Sequence, residues 1–366
     1  MDTSNSNNQK NNYSVIRYRL NAWYEANKRI LPWRMTRNPY LIWVSEIILQ
    51  QTRVEQGIDY YLRFIEKFPD ISSLAAADED KVLKVWQGLG YYNRARNIQK
   101  AAKQIMFDYG GVFPDSFDDI HSLCGIGDYT AAAIASIAWN KPFAVVDGNV
   151  FRVLSRLFTI ATPIDNQIGK REFVQLANWL LDQENPGLHN QAMMELGALQ
   201  CVPKNPDCIK CPLNDLCKAK ASGSIDLYPA KMHKTAIRNR YFSYIYIKCI
   251  NGTFLHRRES KDIWQGLYEF PLIETKTPCK FDELRQTDAF RQIFKEAEKT
   301  VLIQKPYETS HQLTHQTIHA TFYSVTTEHE SSIAHHYLPV NFEKLSNYPF
   351  PKLILKFFDW NKKNSD

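Results

Sequence analysis

The sequence predicts two unlike halves, a mostly α N-terminal domain followed by an α+β C-terminal domain. Three observations predict this. Apolar residues recur at helical spacing up to about Lys220 with no strand alternation. A stretch rich in Ser, Gly, Pro and Lys then runs from Ser222 to Lys234. Beyond it, short runs of β-branched and aromatic residues alternate with helical patterns. The 366 residues accommodate two or three domains. The expected division is a disordered tail over 1–12, a helical domain over 13–220, a linker over 221–236 and a second domain over 237–366.

In the first half, helices are expected over Tyr40 to Gln56, Asp80 to Leu89 and Ala95 to Tyr109. Others follow over Asp128 to Trp139, Asn149 to Phe158 and Glu172 to Leu181, separated by breaks containing Gly, Pro or Asp. In the second half, Tyr241 to Ile250 and Thr253 to Arg257 read as strands. Asn251-Gly252 between them is a strong hairpin signal. Ala320 to Thr326 is a third strand, with helices near Asp282 to Arg285 and Asp288 to Lys299.

Hydrophobic residues make up 44% and charged residues 23% of the chain, which excludes global disorder. A formal charge of +6 suits a polyanionic partner without establishing one. No run approaches the roughly 18 apolar residues that span a bilayer. The polar start lacks a secretory apolar core, so the expectation is an intracellular monomer with no membrane partner.

Four of the seven cysteines, Cys201, Cys208, Cys211 and Cys217, are separated by six, two and five residues. Thiolates so spaced can converge on one site. One short pair flanked by singles favours an iron–sulfur cube over zinc, which usually takes two short pairs; zinc stays open on spacing alone. A brown colour would separate the two. Leu123-Cys124-Gly125-Ile126-Gly127-Asp128-Tyr129-Thr130 lies between helical stretches. Gly125 and Gly127 allow a tight turn, and the following helix presents N–H groups and a positive dipole end suited to a phosphate. A bare turn is the plainer reading of such a segment.

Together with further ordered motifs, these features resemble the helix-hairpin-helix DNA glycosylases of the endonuclease III family, and within it the adenine-specific MutY-type branch. The motifs are Pro32-Trp33-Arg34, Trp43 to Thr52, Gly88-Leu89-Gly90-Tyr91-Tyr92, Val146 to Val150 and Met194-Glu195-Leu196-Gly197. The resemblance implies a helix-hairpin-helix glycosylase domain with a [4Fe–4S] cluster held by Cys201, Cys208, Cys211 and Cys217. It further implies a Nudix-like, or MutT-like, C-terminal domain that recognises 8-oxoguanine. The expected substrate is double-stranded DNA with adenine opposite 8-oxoguanine or guanine. Tyr129 stands where bifunctional relatives carry a Schiff-base lysine, so the expected enzyme removes the base and leaves the backbone intact.

Breaking an N-glycosidic bond calls for one acid to protonate the leaving base and one carboxylate to steady an oxocarbenium-like sugar. Glu46 lies among Ile42, Trp43 and Leu49, so burial is expected to raise its pKa and keep a proton available. Asp147 precedes a helix; the plain role there is a cap, and the same location favours the anion a sugar cation needs. The resemblance makes Glu46 the acid and Asp147 the catalytic aspartate, with Tyr129 and Asn149 beside the sugar. It places Arg29, Trp33, Arg34, Leu49 and Gln191 around the adenine. Gln51, Thr52, Leu89 and Tyr91 are expected to enter the helix near the opposite base.

In the C-terminal half the resemblance rests on Trp264 to Pro271 and on His311 to His315. Leu313-Thr314-His315 stands where the family commonly has Phe-Ser-His, and Leu313 cannot stack as an aromatic would. No acidic Nudix box follows Gly266, so binding rather than hydrolysis is expected of this domain. His311, His315 and His319 recur every fourth residue, but their neighbours favour strands, which argues against a metal stripe. The stretch from Lys231 to Arg258 carries seven Lys or Arg and no acid, a solvated linker face or a phosphate contact. A pyrimidine glycosylase of the same fold and a catalytically silent mismatch binder are the rival readings. Gln191 and Arg34 argue against the first, and the Glu46–Asp147 pair against the second.

Overall fold

The computed structural model describes residues 3–232, 237–259, 262–294, 299–327 and 333–364, with backbone alone over 3–11. The chain divides into two compact units. One comprises Met1–Ala76 and Lys100–His233, the other Ala77–Gln99 and Lys234–Asp366. The second unit thus takes a segment that the linear reading left inside the first domain. Polar contacts explain it. Arg257 reaches Glu79 at 2.9 Å, Tyr268 donates to Asp80 at 3.0 Å, and Lys84 donates to the Tyr348 carbonyl at 3.0 Å.

The first unit is helical. It holds α1 (Thr3–Asn27), α2 (Pro39–Leu49), α3 (Val54–Lys67) and α4 (Ile71–Ala76). After α5 (Glu79–Val85) of the second unit and α6 (Asn93–Asp108), which begins there, come α7 (Phe117–Ser122) and α8 (Asp128–Trp139). Then follow α9 (Gly148–Phe158), α10 (Gln167–Leu180), α11 (Pro186–Glu195) and α12 (Lys218–Ala221). Residues 3–12 lie in α1, where a disordered tail was expected. A helix nucleated by the packed Ile16, Leu20 and Tyr24 extends at one hydrogen bond per added residue, even through weak formers.

The helix expected over Tyr40 to Gln56 is two. Asn38 caps α2 by accepting from the Tyr40 and Leu41 N–H groups, and Pro39 fits the first turn, where its missing N–H costs nothing. The chain breaks at Gln51, whose φ is 58°, before α3 begins. Tyr40 through Ile48 are buried except Leu41, so α2 is a central helix wrapped by others. Gly57 permits the close return of α3, since a Cβ there would meet Leu49 Cδ2 at 2.7 Å.

The second unit carries β1 (Arg238–Ile247), β2 (Gly252–Arg257), β3 (Tyr268–Glu269), β4 (Leu272–Thr275), α13 (Phe281–Arg285) and α14 (Asp288–Ile293). It continues with β5 (Val301–Leu302), β6 (Tyr307–Gln312), β7 (Gln316–Thr326), β8 (Leu338–Asn341) and α15 (Lys352–Lys363). One sheet runs β4-β1-β7-β5 with β6 also on β7; the other runs β3-β2-β8. The β1–β7 pair is parallel, in register Arg238↔Gln316 to Ile247↔Val325.

The expected β1–β2 hairpin does not form. Asn251-Gly252 makes a tight turn, with Cys249 N–H donating to Gly252 O at 3.0 Å, but β1 and β2 then pair in different sheets. The turn signal was local; the partners of each strand were chosen by its apolar face. The helix expected over Asp288 to Lys299 reaches Ile293, and its tail falls partly outside the described residues. Among the described residues no helix is long and apolar enough to cross a membrane.

Candidate active site

The first unit encloses a cavity of about 160 Å³. Its wall includes all five residues expected around the base, Arg29, Trp33, Arg34, Leu49 and Gln191, together with Glu46, Tyr129, Asp147 and Asn149. Glu46 projects from α2, Tyr129 from the first turn of α8, and Asp147 and Asn149 from the start of α9. Three helices therefore converge on one space.

Glu46 is 6% exposed. Burial pushes its carboxyl up to about 7, helped by the charge of Asp147 and opposed by Tyr129 and Arg34. The Tyr129 hydroxyl donates to Glu46 Oε2 at 2.5 Å. Burial and the neighbouring carboxylates raise Tyr129 well above the ordinary phenol range, so it remains a neutral donor. Asp147 caps α9, accepting from Val150 N–H and from Asn149 Nδ2, both at 2.8 Å. The helix start was expected to favour the Asp147 anion, and that expectation is corrected. Burial raises its carboxyl, and the donors from Val150 and Asn149 and the charge of Arg152 oppose that rise. Both carboxyls are therefore raised, but Asp147 has several donors to its charged form where Glu46 has one hydroxyl.

The far wall is built on Glu195, which sequence reading quoted in a motif but gave no role. Its side chain is 1% exposed and accepts from Arg29 at 2.9 and 2.6 Å and from Arg34 at 2.8 and 2.8 Å. Burial alone would raise it; the hydrogen bonds from Arg34 and Arg29 outweigh that and hold it at about 2. Two guanidinium planes are thereby fixed at the edge of the cavity. Two arginines flanking a buried Trp33 required a carboxylate, and that was the available signal. Ser45, Thr52, Val54 and Met194 also line the cavity. Thr52 was expected only as a contact to the opposite base.

Gly197 sets the approach of the chain after α11 to α9, since a Cβ there would meet Asn149 Cβ at 2.5 Å. Arg152 then donates to Asn149 Oδ1 at 2.8 Å, to the Gly197 carbonyl at 2.8 Å and to the Cys201 carbonyl at 2.7 Å. The start of α9 and the cysteine loop are thus tied through one side chain.

Among the described residues no group of three or more His, Cys, Asp or Glu is arranged around a single ion. The four cysteines nevertheless lie close enough for their charges to act on one another. Burial first and then the charges of the other thiols raise Cys208 and Cys211, the latter to about 11. Buried Arg156 donates to Cys201 Sγ at 3.5 Å. An all-cysteine donor set whose charges act on one another, with a buried guanidinium against one sulfur, fits a thiolate-held iron–sulfur cluster.

The turn before α8 forms as expected. Gly125 has φ 80°, Gly127 is the N-cap of α8, and Cys124 N–H is fixed by Gln104 Oε1 at 2.7 Å. Gln51, Gly127, Tyr129 and Asp147 line an adjoining groove of about 810 Å³.

The remaining expected contact residues lie in the second unit. Leu89 is 8% exposed and packs in the core, whereas Tyr91 is 49% exposed. Leu313 packs against the aromatic core and anchors the β6–β7 turn, leaving Thr314 and His315 exposed. Tyr91 and Thr314 hydroxyls meet at 2.7 Å. Of the basic stretch, Arg240 and Arg258 are buried in pairs with Asp262, Glu274 and Glu269, and Arg257 is paired with Glu79 and Asp80. A phosphate-facing role for Arg240 and Arg258 is corrected. His311 and His319 lie on β6 and β7 and His315 in the turn between.

Residues 44–177 match the HhH-GPD superfamily of base excision DNA repair proteins, and residues 243–360 match the NUDIX domain. The chain is 36% identical over 307 residues to an adenine DNA glycosylase of Buchnera aphidicola subsp. Baizongia pistaciae, covering 82% of each. It is 42% identical over 215 residues to that of Mus musculus, covering 56% of this chain and 42% of the relative. A thermostable thymine-DNA glycosylase structure superposes with a TM-score of 0.55 at 28% identity, covering 59% of this chain and 99% of that one. With one cavity joining a buried acid, a capped aspartate and two fixed guanidiniums, and with relatives matched across most of its length, the chain belongs to the adenine DNA glycosylases.

Proposed function

We propose that this enzyme hydrolyses the N-glycosidic bond of adenine paired with 8-oxoguanine or guanine, and that it stops at base removal. The observation that carries this reading is the cavity shared by Glu46 and Asp147, with Tyr129 donating to Glu46. An adenine inside a duplex is out of reach, so the nucleotide is extruded into the cavity. Glu46, protonated near neutrality, gives its proton to a ring nitrogen of the base. The glycosidic electron pair leaves with the adenine, and positive charge develops on the sugar. Asp147, held at the start of α9 by Val150 and Asn149, stabilises that charge. Water adds its oxygen to C1′ and gives up a proton, leaving an abasic sugar. Tyr129 offers no amine, so no Schiff base forms and the strand stays whole.

Arg29, Trp33, Arg34, Leu49 and Gln191 orient the base. Gln51 and the Gly125–Gly127 turn hold the DNA, with Thr52 between the DNA and the base cavity. Tyr91, Thr314 and His315 read the opposite base. Cys201, Cys208, Cys211 and Cys217 would hold a [4Fe–4S] cluster, which supplies a thiolate-ligated brace to their loop. Arg152 carries that brace to Asn149. The test incubates the protein with labelled duplexes holding adenine opposite 8-oxoguanine, guanine, cytosine or thymine. Strand breaks are expected only after alkali and only for the first two; breaks without alkali, or equal cutting of all four, would overturn the proposal.

A further inference from the structure

A second cavity of about 280 Å³ stands behind the first, and the two share Arg29, Arg34, Ile137 and Gln191 as a common wall. Through a different set of residues, Leu49, Tyr129 and Asp147, the first cavity adjoins the groove that runs past the Gly127 turn. The three spaces therefore lie in series: groove, base cavity, back cavity. We infer that the back cavity is a port through which the excised purine leaves while the abasic DNA is still held.

This rests on the adenine reading above. A nucleotide extruded from the groove side keeps its sugar and phosphates in that mouth until the DNA departs. The base, once cut free, has the common wall before it. That wall is unequal in strength. Arg34 is held by two charged hydrogen bonds to Glu195. Gln191 is tied, among the described residues, by one neutral bond from the Tyr24 hydroxyl at 3.0 Å. Gln191 is thus the part that swings. Behind it the surfaces suit a flat, hydrogen-bonding base: the Arg34 guanidinium stands 5.5 Å from the Tyr24 ring, and Asn140 and Asn185 add amides. Lys28 and Met35 line the same space, Met35 being 77% exposed, so the cavity reaches solvent.

The hydrolysis itself supplies the ligand, one free adenine per abasic site, and no further reactant is needed. The test uses the full chain, a duplex with radiolabelled adenine opposite 8-oxoguanine, and enzyme in excess. Aliquots are split between alkali, which counts abasic sites, and rapid gel filtration, which separates free label from label still with the protein–DNA complex. Lys28→Trp and Met35→Trp each place an indole at the outer rim without touching the base cavity. In the unaltered chain, label is expected to escape as fast as abasic sites form, ahead of the DNA. Both variants are expected to form abasic sites at the unaltered rate and to retain label at least tenfold longer. Unslowed escape from both variants would overturn the port. Absence of abasic sites in the unaltered chain would overturn the adenine reading, and the port with it.

Discussion

Replacing Glu46 by Gln separates stability from catalysis at one buried atom. The amide matches the carboxyl in size and can still accept from the Tyr129 hydroxyl, so the packing around α2 is preserved. What changes is ionisation. Burial carries Glu46 from an ordinary value of 4.5 to about 7. At roughly 1.4 kcal/mol per pH unit, that difference corresponds to about 3 kcal/mol. Its sign follows from proton binding: the folded chain holds a proton that the unfolded chain gives up above 4.5. The group costs nothing below that value. Stability falls as pH rises towards about 7, and the full cost is present above it. Glu46→Gln is therefore expected to leave unfolding by urea nearly unchanged at pH 4. At pH 8 it should stabilise the unit that contains α2 by up to about 3 kcal/mol. The same variant should lose excision by about 1,000-fold in a single-turnover assay, as expected for removal of a general acid. An equal stability difference at both pH values would refute the buried-proton reasoning, and so would unchanged excision.

Asp147→Asn keeps a good cap on α9, so stability is expected to change by less than about 0.5 kcal/mol, while excision falls at least about 100-fold. Loss of folding in that variant would show that the aspartate acts chiefly as a structural cap. Glu195→Gln breaks the charged fork to Arg29 and Arg34 and should destabilise the first unit by about 3 kcal/mol in urea melts. Because Glu195 is held at about 2, its contribution is present above the ordinary 4.5 and is lost as pH falls through about 2; a variant as stable as the parent at pH 7 would contradict this. Tyr91→Phe removes the hydroxyl that meets Thr314. Preference for 8-oxoguanine over guanine in binding should shrink by about fivefold, with the excision rate unchanged, as suits a hydrogen bond of about 1 kcal/mol. Undiminished preference would place recognition elsewhere.

The burial of Glu46 and the cap position of Asp147 were legible because each sat where local pattern implies environment. Glu46 lay in a run with few polar neighbours, and Asp147 stood between an apolar run and a helix start. That five expected residues line one cavity was legible only through family motifs, since nothing local joins Arg29 on one segment to Gln191 on another. Glu195 went without a role because its meaning lies in two arginines about 160 residues away in sequence. Leu89 and Leu313 are more enclosed than a sequence reading of DNA contacts anticipates. A turn displays its apolar residues in sequence but packs them in space, and both found a core to enter. The Asn251-Gly252 signal specified a turn and nothing about which strands pair. Helix α1 exceeded its expected start because propagation from a packed segment is cheap.

The proton on Glu46 is tested most directly by the pH dependence of single-turnover excision with adenine opposite 8-oxoguanine. Proton donation from a carboxyl near 7 predicts a rate that is level below about 7 and falls tenfold per pH unit above it. A second decline is expected at low pH, where the raised Asp147 takes a proton and loses the charge the sugar cation needs. A rate that climbs through pH 7 would contradict the assignment, because it would make Glu46 a base.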